Sequence, residues 1–244
     1  MKQSIKKQTV LIIATLLLTA TSYAQRGKSI KGNGNITTIT RTTSEYDGIK
    51  CAGSFDYILV AGNEGKITLE GESNLLEYII TEVKGDHLIV KTKKGAKINS
   101  GRNKAIKITI PFKDISKVSL AGSGDLWNED LITATNLNVS LAGSGDVILD
   151  IKASSTKASI AGSGDLTLKG DTNNLEAKVA GSGDFHGFDL QANNTEVSVA
   201  GSGDAKVVSN KNLKARVAGS GDIVYKGDPI VDTKVAGSGS ISIN

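Results

Sequence analysis

A pentapeptide that keeps returning limits what this chain can fold into. Ala-Gly-Ser-Gly-Asp begins at Ala121, Ala142, Ala161, Ala180, Ala200 and Ala218, and a last copy opening at Ala236 ends in Ser240. Successive starts lie 21, 19, 19, 20, 18 and 18 residues apart. A period near 20 residues is the signature of a solenoid, in which each repeat is one coil stacked on the next. The flanks choose strand over helix. Val118-Ser119-Leu120, Val139-Ser140-Leu141, Ala158-Ser159-Ile160 and Val197-Ser198-Val199 all alternate apolar and polar, the period-two pattern of a strand with one buried face. A second short run follows each pentapeptide, as in Asp146-Val147-Ile148-Leu149. Two glycines around a serine allow the sharp turn between the runs. Asn136, Asn174, Asn194 and Asn212, with Ser155 in the matching place, recur six residues before the alanine. Asparagine suits a corner there, because it tolerates left-handed backbone and bonds its own main chain.

The expected fold is therefore all-β, a parallel β-helix with about 20 residues per coil. Right-handedness follows from the twist preference of parallel crossovers. Like residues should stack at about 4.8 Å. Aromatics make up only 4% of the chain, which fits a thin core that a ring in every coil would overpack.

Residues 1–24 read as a secretory signal peptide. Lys2, Lys6 and Lys7 precede an apolar run from Val10 to Leu18, and Ser22-Tyr23-Ala24 places small residues before a cut at Gln25. The run is short for a membrane anchor, so the mature chain is expected to have no transmembrane segment. The formal charge of +4 includes those three lysines and no acid from the leader, so 4 − 3 leaves +1. Nucleic acid is thereby excluded as a partner. Residues 25–45 read as a flexible lead and an edge strand. Residues 46–244 form the β-helix domain, with irregular opening coils over 46–115 and regular repeats over 116–244. Strands are expected at Phe55–Val60, Lys66–Glu70, His87–Lys93 and Ala105–Ile110, a helical turn at Asn74–Tyr78, and an exposed loop over Lys91–Lys104. Cys51, the single cysteine, has no intramolecular partner and is expected to be buried and inert. Cys51-Ala52-Gly53-Ser54-Phe55-Asp56 reads as a degenerate early pentapeptide, with Phe in place of the second Gly.

Together with the leader and the early Phe/Asp copy, Asn74-Leu75-Leu76-Glu77-Tyr78-Ile79-Ile80-Thr81-Glu82-Val83 ahead of His87-Leu88-Ile89-Val90 and then the Ala-Gly-Ser-Gly-Asp series give a resemblance to a known family. The chain resembles, over about residues 46–244, the head GIN domain family, named for auto-transporter adhesins of the bacterial envelope. The resemblance implies a right-handed β-helix, export and an adhesive role; it implies no ligand and no catalytic residues. An auto-transporter needs a membrane β-barrel. The last repeat runs to Asn244, so only the passenger-like part is expected here.

Two sets of residues are candidates for chemistry. Asp125, Asp146, Asp165, Asp184, Asp204 and Asp222 should form a ladder, whose neighbours repel by about 0.9 kcal/mol even with the dielectric of water. Turn amides would offset that repulsion; bound cations are the competing reading, and Ca²⁺ is the ion such oxygens suit. Trp127, His186 and Phe188 are candidates for glycan contact, the competing reading being that rings such as Phe185 fill the core while these pack corners. An active site has little to draw on. The carboxylates are alike, the only histidines are His87 and His186 in different coils, and arginine is limited to Arg26, Arg41, Arg102 and Arg216. Without distinct acid and base, or a zinc signature, catalysis is not expected. The leading expectation is an exported, non-enzymatic adhesin or envelope-interaction protein that needs no cofactor and binds surface glycans or envelope proteins through stacked faces. A periplasmic scaffold or cation-binding repeat protein is the alternative, and a polysaccharide-active enzyme the next. The compartment would be periplasm, outer-membrane surface or extracellular. The final strand, Ser240–Asn244, leaves an edge through which a second copy can add.

Overall fold

The computed structural model describes residues 28–101 and 104–244; the expected signal peptide, Arg26 and Arg102 lie outside the described residues. Strand accounts for 69% and helix for 2% of the chain, in a parallel β-solenoid of about seven turns spaced about 19 residues apart. The opening is mixed. β1 (Lys28–Lys31) pairs in parallel with β8 (Ala96–Asn99). Antiparallel pairing joins β2 (Ile36–Thr42) to β5 (Lys66–Glu72), and β6 (Ile79–Lys84) to β7 (His87–Thr92). A single helical turn, α1 (Ser73–Leu76), connects β5 to β6. The segment expected as an exposed loop thus contains a strand: Ala96 and Ile98 are half-buried, and β1 satisfies their backbone. Partner and alternation overrode the Lys/Gly-rich composition.

From β3 (Gly48–Gly53) and β4 (Asp56–Ala61) the stacking becomes parallel. Each has one parallel partner from the opening, β7 for β3 and β9 (Lys107–Phe112) for β4. On the other side lie β10 (Lys117–Gly122) and β11 (Leu126–Asn128). Ala52 pairs with Ala121 and Gly53 with Gly122, so the early pentapeptide is in register with the regular series. Then β12 (Ile132–Gly143), β13 (Val147–Gly162), β14 (Leu166–Gly181) and β15 (Phe185–Gly201) stack residue on residue. The last coils are β16 (Ala205–Val208) with β17 (Asn212–Gly219), β18 (Ile223–Lys226) with β19 (Ile230–Gly237), and finally β20 (Ile241–Ile243).

Alternation decides what fills the core. Leu137, Thr156, Leu175, Thr195 and Leu213 form one inward column, in which large and small residues take turns. The threonines there are not orphaned: Thr156 donates to Thr172 Oγ1 at 3.0 Å and Thr195 to the Val208 carbonyl at 2.8 Å. Each fully buried Leu, Ile or Val contributes about 1.5–3 kcal/mol. The buried rings Tyr46, Phe55, Tyr57 and Phe112 sit in the opening coils, and Phe185 alone occupies a regular one. Room for that ring comes from its neighbours. Ala205 stacks on Phe185, and a Cβ on Gly187 would lie 2.6 Å from the ring. The longer coil is absorbed by a register shift opposite Thr167–Lys169.

Candidate functional site

The turn that follows each β-strand of the repeat is built by backbone contact. The Gly122 carbonyl accepts from the Ser144 and Gly145 amides at 2.9 and 3.1 Å, and the same pair of bonds repeats up to Ser238 and Gly239 on Gly219. The aspartate then closes the turn. Oδ1 of Asp125 accepts the Asp146 N–H at 3.0 Å; Asp146 serves Asp165, Asp165 serves Asp184, Asp184 serves Asp204 and Asp204 serves Asp222 at 2.7–3.0 Å. Asp222 accepts from both the amide and the hydroxyl of Ser240. One oxygen of every ladder carboxylate is thus spent on the coil above, an ion–dipole bond that offsets the repulsion between neighbours. Asp56 extends the ladder downward; burial first, then the Asp125 carboxylate, raise its pKa, with Lys107 opposing.

Two residues beyond each aspartate the side chain again points outward, because strand side chains alternate. The positions Ile58, Trp127, Ile148, Thr167 and His186 therefore stand in one column. Ile148 is 47% exposed, and Trp127 and Ile58 are half-buried beside it. The structure brings Trp127 and His186 onto this column, about three strand spacings or 14 Å apart. Phe188 is not with them. It lies across the register shift with the Lys226 ammonium 4.1 Å from its ring centre, a cation–π contact. Asp165, Asp184 and His186 bring one ligand atom each within 4.8 Å of one another, with His186 Nε2 3.9 Å from Asp165 Oδ2. Ile58 and Ile148 escaped the sequence reading, although counting two residues past each aspartate would have found them.

The opposite flank of the repeat is polar. The asparagines do mark a corner, since strand pairing skips Thr135, Ser154, Asn173 and Asn193. They serve it through an amide ladder: Asn194 donates to Asn174 at 3.0 Å and Asn212 to Asn194 at 2.7 Å. Beyond the corner Glu176 takes Lys157 and Lys178, and Glu196 takes Lys214; the lysine ammoniums on Glu176 hold its pKa below the usual carboxylate range. These exposed pairs set charge alternation more than stability.

Taken together, the molecule presents evenly spaced carboxylate oxygens beside a column of side chains that is apolar at Ile58, Trp127 and Ile148 and polar from Thr167 through His186 to Lys206. Such a surface can accept hydroxyl hydrogens while covering a flat apolar ring face. Residues 45–229 match the family model described as "Putative auto-transporter adhesin, head GIN domain". A crystal structure from Parabacteroides distasonis described as a "putative lipid binding protein" is 30% identical, with a TM-score of 0.72, over 89% of this chain and 100% of that one. One described as a "putative adhesin" from Bacteroides fragilis is 26% identical, with a TM-score of 0.78, over 88% and 100%. Another described as a "putative adhesin" from Parabacteroides distasonis, 24% identical with a TM-score of 0.71 over 89% and 100%, shares the fold. None of the curated proteins matches the chain at a significant level.

Proposed function

Since the chain belongs to the head GIN domain family, we propose that it is an exported, non-enzymatic adhesive solenoid of the cell envelope that holds a repeating glycan along its aspartate face. The observation that carries this reading is the in-register carboxylate ladder beside Ile58, Trp127 and Ile148. Trp127 and the two isoleucines cover the apolar face of a sugar ring. The aspartate oxygens not engaged by the coil above accept hydroxyls at the spacing of the strands. Each contact is weak, and a polymer that meets several coils at once gains by raised effective concentration. A non-enzymatic role is supported by the repetition along the ladder: Asp125, Asp146, Asp165, Asp184 and Asp204 each spend Oδ1 on the next coil's amide in the same way, rather than forming a pair with divergent environments for acid and base.

The test is a glycan array probed with the intact protein and with Trp127→Ala. Loss of the indole contact is expected to weaken binding by about ten-fold, which is about 1.4 kcal/mol, at an unchanged melting temperature. Binding to phospholipid vesicles but to no glycan would overturn the reading, as would turnover of a polysaccharide. Labelling of lysines on intact cells by a membrane-impermeant reagent checks surface exposure; label only after lysis would remove the adhesive role.

A further inference from the structure

The two ends of the solenoid differ. Antiparallel β2, β5 and β6 lie among the opening strands, whereas β19 pairs only with β17 among the described residues. Its exposure is uniform: Ile230 is 79%, Val231 43% and Val235 42% exposed. Val231, Thr233 and Val235 continue the inward column positions of Leu213, Ala215 and Val217, all buried one coil below. Among the described residues the top of the core is therefore uncovered, along an edge strand whose backbone groups invite another strand.

The sequence of this edge is complementary to itself. The Ile230 N–H bonds downward to the Lys211 carbonyl at 2.8 Å. Backbone groups of successive strand residues point to opposite sides, so those of Val231, Thr233 and Val235 point off the open edge. An antiparallel copy of β19 placed on a two-fold axis through Thr233 meets all of them. Thr233 faces Thr233 of the second copy, and Val231 faces Val235, each as a pair that exchanges two hydrogen bonds. The same axis sets Asp232 opposite Lys234 in both directions, in the close, non-hydrogen-bonded positions where side chains lie nearest. Asp232 is already held from below by Arg216 at 2.5 Å, which fixes its carboxylate in place. Moving the axis to Asp232 or Lys234 would keep the same backbone groups facing the partner but set two carboxylates or two ammoniums directly opposite each other. Only the Thr233 register satisfies backbone, core and charge together.

We infer that β19 is an isologous interface through which two copies of this chain join end to end, antiparallel about Thr233, into one solenoid with a continuous core. This stands apart from the glycan reading, since it uses a different surface. The test is sedimentation velocity over a concentration series, on the protein as recovered from the cells that export it. Wild type is expected to dimerise reversibly. Lys234→Asp opposes two carboxylates at each pair and is expected to raise the dissociation constant at least about ten-fold. The swap Asp232→Lys with Lys234→Asp restores the pairing and is expected to recover the dimer. Thr233→Pro removes a donor that the monomer does not use and should abolish dimerisation while leaving the circular dichroism melt of the monomer intact. A wild type that stays monomeric at every concentration overturns the inference, whether the chain's own undescribed residues or another protein covers the edge. So does a dimer indifferent to Lys234→Asp and Thr233→Pro.

Discussion

At the scale of single residues the repeat is governed by what cannot carry a Cβ. A Cβ on Gly164 would lie 2.0 Å from the Gly145 carbonyl oxygen, and the same collision recurs at Gly145, Gly183 and Gly203. The glycine is needed for close approach of one coil to the next, and in the first glycine of each pentapeptide, such as Gly162 with φ of 135°, for a backbone that side chains avoid. Gly164→Ala is expected to cost at least about 3 kcal/mol and to lower the melting temperature by roughly 6–12 °C in a domain of this size. Ser163→Ala, at the exposed position between the two glycines, should shift it by under about 2 °C; differential scanning fluorimetry reads both. The glycine turn was fully legible in the sequence, because spacing and residue type both point to it. The role of Asn174, Asn194 and Asn212 was only half legible. Their place at a corner followed from their spacing, but the amide ladder needs the corner's three-dimensional register, which no local preference encodes.

Elements of the opening show where sequence reasoning thins. Strands expected at Phe55–Val60 and Lys66–Glu70 fall at Asp56–Ala61 and Lys66–Glu72, since alternation reports which residues face inward. It does not report direction, so the antiparallel pairing of β2 with β5 was invisible. That element is fastened by two buried or half-buried charges. Arg41 donates to the Leu76 carbonyl at 2.6 Å and to that of Ile79, closing the end of α1. Glu72 accepts the Gly101 and Gly34 amides at 2.8 and 2.6 Å. The Gly101 bond first, then the Gly34 bond and nearby Lys104, outweigh burial and hold its pKa below 4.5. A carboxylate depressed in the folded state stabilises fully above its unfolded pKa and loses that contribution as pH falls through the lower folded value. Urea midpoints of wild type should therefore exceed those of Glu72→Gln at pH 7, and the gap should close as pH drops below about 4.5. A gap independent of pH would show that Glu72 acts by shape alone.

For the whole molecule, the period of the sequence dictates the number of coils and the long faces follow from it, while the ends do not repeat and so were the least legible part. The final edge was expected at Ser240–Asn244, where β20 pairs with β18 alone among the described residues; β19, one corner earlier, is likewise paired on one side only. Ordered from the mixed opening to the last coil, the coils are joined almost wholly by bonds that run from each to the next. Under tension between its two ends such a molecule does not shear across all its rungs at once. It peels, one coil after another, beginning where only one neighbour holds. Single-molecule pulling is expected to show evenly spaced force peaks, each releasing about 19 residues, or roughly 65 Å of chain; one abrupt rupture of the full length would contradict this. An adhesive contact of the kind proposed above, mounted on such a coil, yields by paying out line. Stretching then dissipates a sudden load before the ligand is torn away.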